Sequence, residues 1–338
     1  MKFQKEKKAA IVQYILEKVS QGESSLTKTV SDTFDINQNT VHSYVNELVE
    51  GNVIRRVKRG QYELASREYE YHLRRSKGDL DTDTAAYRQY LLPLLADYAQ
   101  SVRDIWSYAF SEMFNNAMDH SQAENVLIRI SQNHMSTTVY LMDDGVGIFE
   151  KIKAYFGFED LDEAISELFK GKLTTDAKNH SGEGIFFSSK VMDLFAIVSS
   201  GKVFTYNKYD ASSLADAPWN PAKGTCVIMS LSNYSHKQVK EVFDQYADTD
   251  CGFTRTKVPI KNMFDSAPVS RSQAKRVSFR LEKFKEAEID FSEIEWMGQG
   301  FAHQLFVVFQ NEHPQLRLVP TNMTQSVEKM YKHVLYES

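Results

Sequence analysis

Apolar residues in the first fifty positions recur at helical spacing. Residues 7–20 carry Ala10, Ile11, Tyr14, Ile15 and Val19 on one face, residues 25–34 carry Leu26, Val30 and Phe34, and residues 38–50 carry Val41, Tyr44, Val45 and Leu48. The spacing predicts three amphipathic helices, the third stopped by Gly51-Asn52. Residues 53–64, V-I-R-R-V-K-R-G-Q-Y-E-L, then read as a hairpin turning at Arg59-Gly60. Residues 66–84 are densely charged and read as a linker, or as a connecting helix followed by a loop, with Thr84 a candidate cap for the next helix.

The middle of the chain changes period. Tyr87, Tyr90, Leu91, Leu94, Leu95 and Tyr98 predict a packing helix over 85–100 that leads into a second helix around Glu112. Residues 126–130 and 137–141 alternate as paired strands, and residues 149–169 read as one or two short helices. Residues 194–199 and 203–206 read as strands around Ser200-Gly201, and residues 210–223, with Pro218 and Pro221, as a loop. A helical connector is expected at 236–246. Strands at 256–260, 287–291 and 316–320 then alternate with helices at 270–286, 300–310 and 324–335, which predicts a small α/β domain.

Composition narrows the class. Of 338 residues, 42% are hydrophobic and 12% aromatic, enough for buried cores and too apolar for a disordered chain. Net charge is −5, yet the first sixty residues hold 10 Lys and Arg against 7 Asp and Glu. The N-terminal module is therefore basic and the remainder acidic. Cys226 and Cys251 form neither a metal-ligand spacing nor a disulfide framework, so a reducing, cytoplasmic setting is expected. No apolar run reaches the ~18–20 residues of a membrane span, and no signal-peptide core follows the basic start.

Three stretches carry chemistry. Residues 111–121 read S-E-M-F-N-N-A-M-D-H-S, with Glu112, Asn116 and Asp119 at i, i+4 and i+7. On a helix these share one face, where an amide oxygen can ligate Mg²⁺ and a carboxylate can take a proton; an ordinary solvated polar face has the same spacing. Residues 141–149 read L-M-D-D-G-V-G-I-F, which sets Asp143 at a strand exit before Gly145 and Gly147. A carboxylate there can accept from an exocyclic amine while the glycines let a flat ring approach the main chain. Residues 180–185 read H-S-G-E-G-I and run into a helical pattern, so the amides of Gly182 and Gly184 can form a phosphate cradle.

In this order the motifs resemble those of the GHKL ATPase superfamily, which includes gyrase-like topoisomerases, histidine kinases and anti-sigma-factor kinases. Residues 112–119 resemble its N box, 143–147 the adenine-binding box, 182–184 the phosphate-binding box, and Gly224-Thr225 the closing G-T element. The resemblance covers roughly residues 85–232. It implies a Bergerat-type α/β sandwich that binds ATP and Mg²⁺. Glu112 would be the general base, Asn116 the metal ligand, and Asp119, Asp143, Gly145, Gly147, Gly182, Gly184 and Thr225 nucleotide contacts. Residues 170–181 would form a mobile lid, with Lys172, Thr174, Thr175, Lys178 and His180 near the phosphates. No phosphoacceptor histidine on a dimerisation module precedes the motifs, so a sensor histidine kinase is not expected.

The three helices and hairpin resemble a winged helix-turn-helix, which implies that double-stranded DNA meets Gln38, Asn39, Thr40, His42 and Ser43 on the third helix and Arg55, Arg56, Lys58 and Arg59 on the wing. Protein docking is the alternative use of such a module. The C-terminal residues resemble STAS-like domains found beside such ATPases, with Asp290-Phe291-Ser292 present but Met297-Gly298-Gln299-Gly300 where a phosphorylatable serine would stand. The expected organisation is an α/β multidomain chain: a winged helix at 1–65, a linker at 66–84, the ATP-binding domain at 85–232, a connector at 233–255 and the STAS-like domain at 256–338. The function expected is an ATP-binding, ATP-hydrolysing regulator whose nucleotide state controls the DNA-binding and STAS-like modules. The alternatives are a protein serine/threonine kinase acting on a separate STAS partner, and a nucleotide-independent repressor. A homodimer and a protein partner for the STAS-like module are compatible with the resemblance.

Overall fold

The computed structural model describes residues 2–80, 82–175, 182–206, 223–248, 252–264 and 266–336. It is a mixed α/β molecule with three separate sheets. Helices α1 (Lys2–Ser20), α2 (Leu26–Phe34) and α3 (Gln38–Glu50) pack around Ile11, Ile15, Leu16, Val30, Val41 and Val45. Asn37 starts α3 by accepting from the Asn39 amide at 2.8 Å, which satisfies one of the unpaired donors of the first turn. Strands β1 (Ile54–Lys58) and β2 (Gln61–Leu64) form an antiparallel hairpin that turns through Gly60 at φ +75°.

The expected linker at 66–84 contains strand β3 (Arg67–Arg74), which pairs along its whole length with β4 (Asn125–Gln132). Its alternation explains this: Tyr69, Tyr71 and Leu73 pack inward, while Glu68 and Glu70 face out and meet Ser131 and Arg129 across the strands. The next helical segment begins at Asp83, two residues earlier than a Thr84 cap requires. Thr82 caps it instead, accepting from Ala85 N at 3.1 Å.

The central sheet is antiparallel, in the order β3-β4-β5-β8-β6-β7. Its other strands are β5 (Ser136–Asp143), β6 (Leu194–Ser199), β7 (Lys202–Thr205) and β8 (Thr225–Ser232). Helices α4 (Gln100–Asn115), α5 (Ile148–Phe156), α6 (Leu161–Leu168) and α7 (Gly184–Val191) contribute to the apolar core with Ile128, Val139, Ile197 and Met229 of the sheet. Helix α8 (Val239–Tyr246), expected as a bare connector, stacks Phe243 on Phe187 at 3.9 Å between ring centres.

The same core continues into the C-terminal part. Three parallel strands, β9 (Arg255–Pro259), β10 (Glu286–Asp290) and β11 (Arg317–Thr321), lie in the order β11-β10-β9. Helices α9 (Arg271–Ser278), α10 (Gln299–His303, continued by Gln304–Phe309) and α11 (Gln325–Tyr336) pack with this sheet. Helix α9 is shorter than the expected 270–286, because Arg280 takes a left-handed conformation at φ +63° and a short 3₁₀ turn follows. Phe253 and Phe284 meet edge to face at 5.3 Å across the junction of the two parts. Among the described residues, no helix is long and apolar enough to cross a membrane.

Candidate nucleotide-binding site

A cavity of about 300 Å³ lies between the inner face of the central sheet and the helices. That volume is at the lower end of the range for small-molecule sites. Leu141, Ile197 and Val227 supply its apolar floor, and Glu112, Asn116, Asp143, Gly147, Gly182, Gly184, Thr174, Thr175 and Thr225 also line it. Residues far apart in the chain and singled out by different motifs therefore share one wall.

Asp143 ends β5 and is buried. Its carboxylate accepts from Gly145 N at 2.9 Å. Burial pushes its pKa up to about 6, against the opposing pull of backbone hydrogen bonds at Gly145 and Thr225. The neighbouring Asp144 has a different task. It accepts from Glu124 N at 3.0 Å and Asn125 N at 2.9 Å and so fixes the start of β4.

The glycines are required by close approach. A Cβ at Gly145 would stand 2.1 Å from the Ser121 carbonyl oxygen, and one at Gly224 would stand 1.9 Å from the Asp143 carbonyl oxygen. A Cβ at Gly184 would stand 2.1 Å from Glu112 Oε2, so the first turn of α7 lies directly against that carboxylate. Gly145 itself, packed on Ser121, does not line the cavity. Thr225 accepts from Ile148 N at 3.0 Å and ties the start of α5 to β8.

Helix α4 does not end at Asn115 but widens into a π-type turn over Asn116–His120. A widened turn brings residues four apart into line more closely than residues three apart. Asn116 and His120 accordingly line the cavity, whereas Asp119 is exposed and lies off its wall. Asn116 Nδ2 donates to Met113 Sδ at 3.9 Å. The Tyr108 phenol, one turn before Glu112, is pushed up by burial and by the Glu112 and Glu183 carboxylates.

The expected lid is only partly described; Lys178 and His180 lie outside the described residues, as do residues 210–222 of the proline-containing loop. Its two ends are joined, since Leu173 N donates to Gly182 O at 3.0 Å. Lys172 does not line the cavity. Its ammonium donates to Lys283 O at 2.9 Å and sits over the Phe284 ring at 4.7 Å.

This wall segment is tied to the C-terminal part by buried charge. Lys170 is 1% exposed and donates to Glu167, to Arg276 O at 2.7 Å and to Phe279 O at 2.8 Å. Arg280 reaches Glu167 Oε2 at 3.2 Å and also donates to the Lys172 carbonyl. Thr256 Oγ1 donates to Lys170 O at 2.6 Å.

In the N-terminal part Gln38, Asn39, His42 and Ser43 are exposed on α3, Thr40 is half-buried, and Arg55, Arg56, Lys58 and Arg59 are exposed on the hairpin. Arg55 pairs with Glu63, and Arg56 donates to the Tyr62 hydroxyl at 3.2 Å. At the end of β10, Ser292 N and Oγ both donate to Asp290 Oδ1, at 2.9 and 2.7 Å. Burial pushes the Asp290 carboxyl up, but hydrogen bonds from Asn322, Ser292 and Lys257 outweigh it and hold it at about 2. Ser292 thus belongs to the turn that closes the strand.

Two basic cavity residues lie outside the candidate set read from the motifs, His120 and Lys151. The signal for His120 was its place four residues after Asn116. Lys151 had no comparable signal beyond following the Gly145–Gly147 pair.

Residues 273–328 match the family model of a STAS-like domain of unknown function (DUF4325). The C-terminal part is accordingly STAS-like, as the sequence led one to expect. No curated protein matches the chain.

Proposed function

We propose that this chain is an ATP-binding regulatory protein of the GHKL type. In this reading the nucleotide state of the central cavity controls a winged-helix DNA-binding module at the N-terminus and the STAS-like module at the C-terminus. The observation that carries it is convergence: Glu112, Asn116, Asp143, Gly182, Gly184 and Thr225, drawn from four separate motifs, line one cavity. The donor set fits Mg-ATP. Asp143 would offer a buried carboxylate to an exocyclic amine, Gly182 and Gly184 would offer main chain to phosphate, and Glu112 would act as general base for a water. Asn116 is the residue that would hold the metal. Magnesium, when bound, offsets phosphate charge.

The link from cavity to STAS-like module is supported by the buried contacts of Glu167, Lys170 and Arg280. A ligand that favours one arrangement of this wall biases the module packed on it. Calorimetry with Mg-ATP tests the reading, with Asp143→Asn and Asn116→Ala alongside the wild type. Binding by the wild type and loss in both variants supports it; no binding by the wild type overturns it. Phosphate release abolished by Glu112→Ala makes the protein an ATPase, and phosphate transfer to a STAS protein makes it a kinase. DNA affinity unchanged by ATP removes the switch from the proposal.

A further inference from the structure

Lys151 sits in the first turns of α5, four residues after Gly147, and its side chain reaches the cavity wall. Its ammonium donates to the His120 carbonyl at 2.8 Å and approaches His120 Nδ1 at 3.5 Å. That carbonyl lies at the end of the widened turn that closes α4, where helix carbonyls lack intrahelical partners and a cation is welcome. For α5 itself the position is poor, since its N-terminal turn disfavours positive charge. A lysine set against its own helix and aimed at a cavity calls for a reason beyond local stability.

The cavity's charge supplies one. Glu112 and Asp143 line it, and among the described residues Lys151 is its one lysine or arginine. Lys172, the described lysine of the expected lid, is turned instead to Lys283 and Phe284. A polyanion entering here meets two carboxylates, and Lys151 is the described basic side chain on the wall able to balance it besides His120.

We propose that Lys151 is a binding residue for the anionic part of a nucleoside polyphosphate, held in position by the His120 carbonyl. This rests on the nucleotide reading above and adds a residue that none of the sequence motifs contains. A purely structural staple between α4 and α5 is the competing role. Such a staple needs a hydrogen-bond donor but not a charge.

The test is calorimetric titration of the full chain with ATP, ADP and adenosine, using wild type, Lys151→Gln, Lys151→Met and Lys151→Arg. Lys151→Gln keeps a donor for the His120 carbonyl and removes the charge. The expected result is that Gln and Met weaken ATP and ADP binding about 10-fold or more, the scale of a charged hydrogen bond, with adenosine unchanged. Lys151→Arg restores most of the loss. Equal weakening for adenosine, or wild-type affinity in Lys151→Gln, overturns the proposal while leaving the nucleotide reading intact. Absence of binding by the wild type to all three overturns both, and so separates the two failures.

Discussion

Arg280 of the STAS-like module places its guanidinium 3.2 Å from Glu167 Oε2, and both side chains are almost fully withdrawn from solvent. Glu167 is the penultimate residue of α6, directly before the segment that lines the cavity. Arg280→Met removes the hydrogen bonds to Glu167 and to the Lys172 carbonyl, while Lys170 still pairs with Glu167. The variant is expected to lower the free energy of unfolding by about 2 kcal/mol, the scale of a hydrogen bond to a charged group, read by urea titration. Its loss also frees the Lys172 carbonyl, so nucleotide affinity should change with it. Unchanged stability and affinity would show that the charged contact does not tie the wall to the module.

Asp143 gives a pH prediction. Its pKa rises from the ordinary carboxylate value to about 6 on folding, so the folded state holds its proton more tightly. The associated stability is fully present below about pH 4 and is lost as pH rises through 6. Ionisation at neutral pH therefore costs the fold about 3 kcal/mol at this residue. Asp143→Asn should be more stable than wild type at pH 7–8, with the difference shrinking toward pH 4, and should lose nucleotide binding. Denaturant titrations at three pH values check this. A variant no more stable at pH 8 than at pH 4, relative to wild type, would refute it.

Two glycines should fail differently. A side chain at Gly145 meets the main chain at the Ser121 carbonyl, which cannot move aside cheaply, so Gly145→Ala should lose stability. One at Gly184 meets the far end of the flexible Glu112 side chain, so Gly184→Ala should fold. It should instead displace the carboxylate and lose phosphate release. Thermal melts beside a phosphate assay distinguish the two; the idea fails if Gly184→Ala retains full activity.

For the N-terminal module, exposed wing residues should contribute by charge. Arg56→Ala and Lys58→Ala are each expected to weaken binding to all DNA sequences alike and to reduce the salt slope by about 1. Fluorescence titrations across salt concentrations provide the measurement. A slope unaffected by both changes would point to protein docking.

Much of the cavity was legible because its requirements are local. A carboxylate at a strand end and glycines where another group comes close leave a mark at fixed spacing, as at Asp143, Gly147 and Gly184. What escaped depended on contacts across the chain. Strand β3 was hidden by its charges, although the alternation of Tyr69, Tyr71 and Leu73 carried the period of a strand. The widened turn that exchanges Asp119 for His120 has no simple composition signature. Lys172 looked like a phosphate ligand until Phe284 and the Lys283 carbonyl, more than a hundred residues on, supplied it with other partners.

Only Ala65 and Ser66 separate the hairpin from β3, and Ala65 N is itself bonded to Val53 O at 2.9 Å. So short a connection leaves the N-terminal module no leash on which to wander. It is mounted like the jaw of a caliper on the edge strand of a six-stranded sheet. If two copies grip one DNA, the gap between their jaws is a dimension of folded protein, and lengthening residues 65–66 would blur it without touching any contact to the duplex.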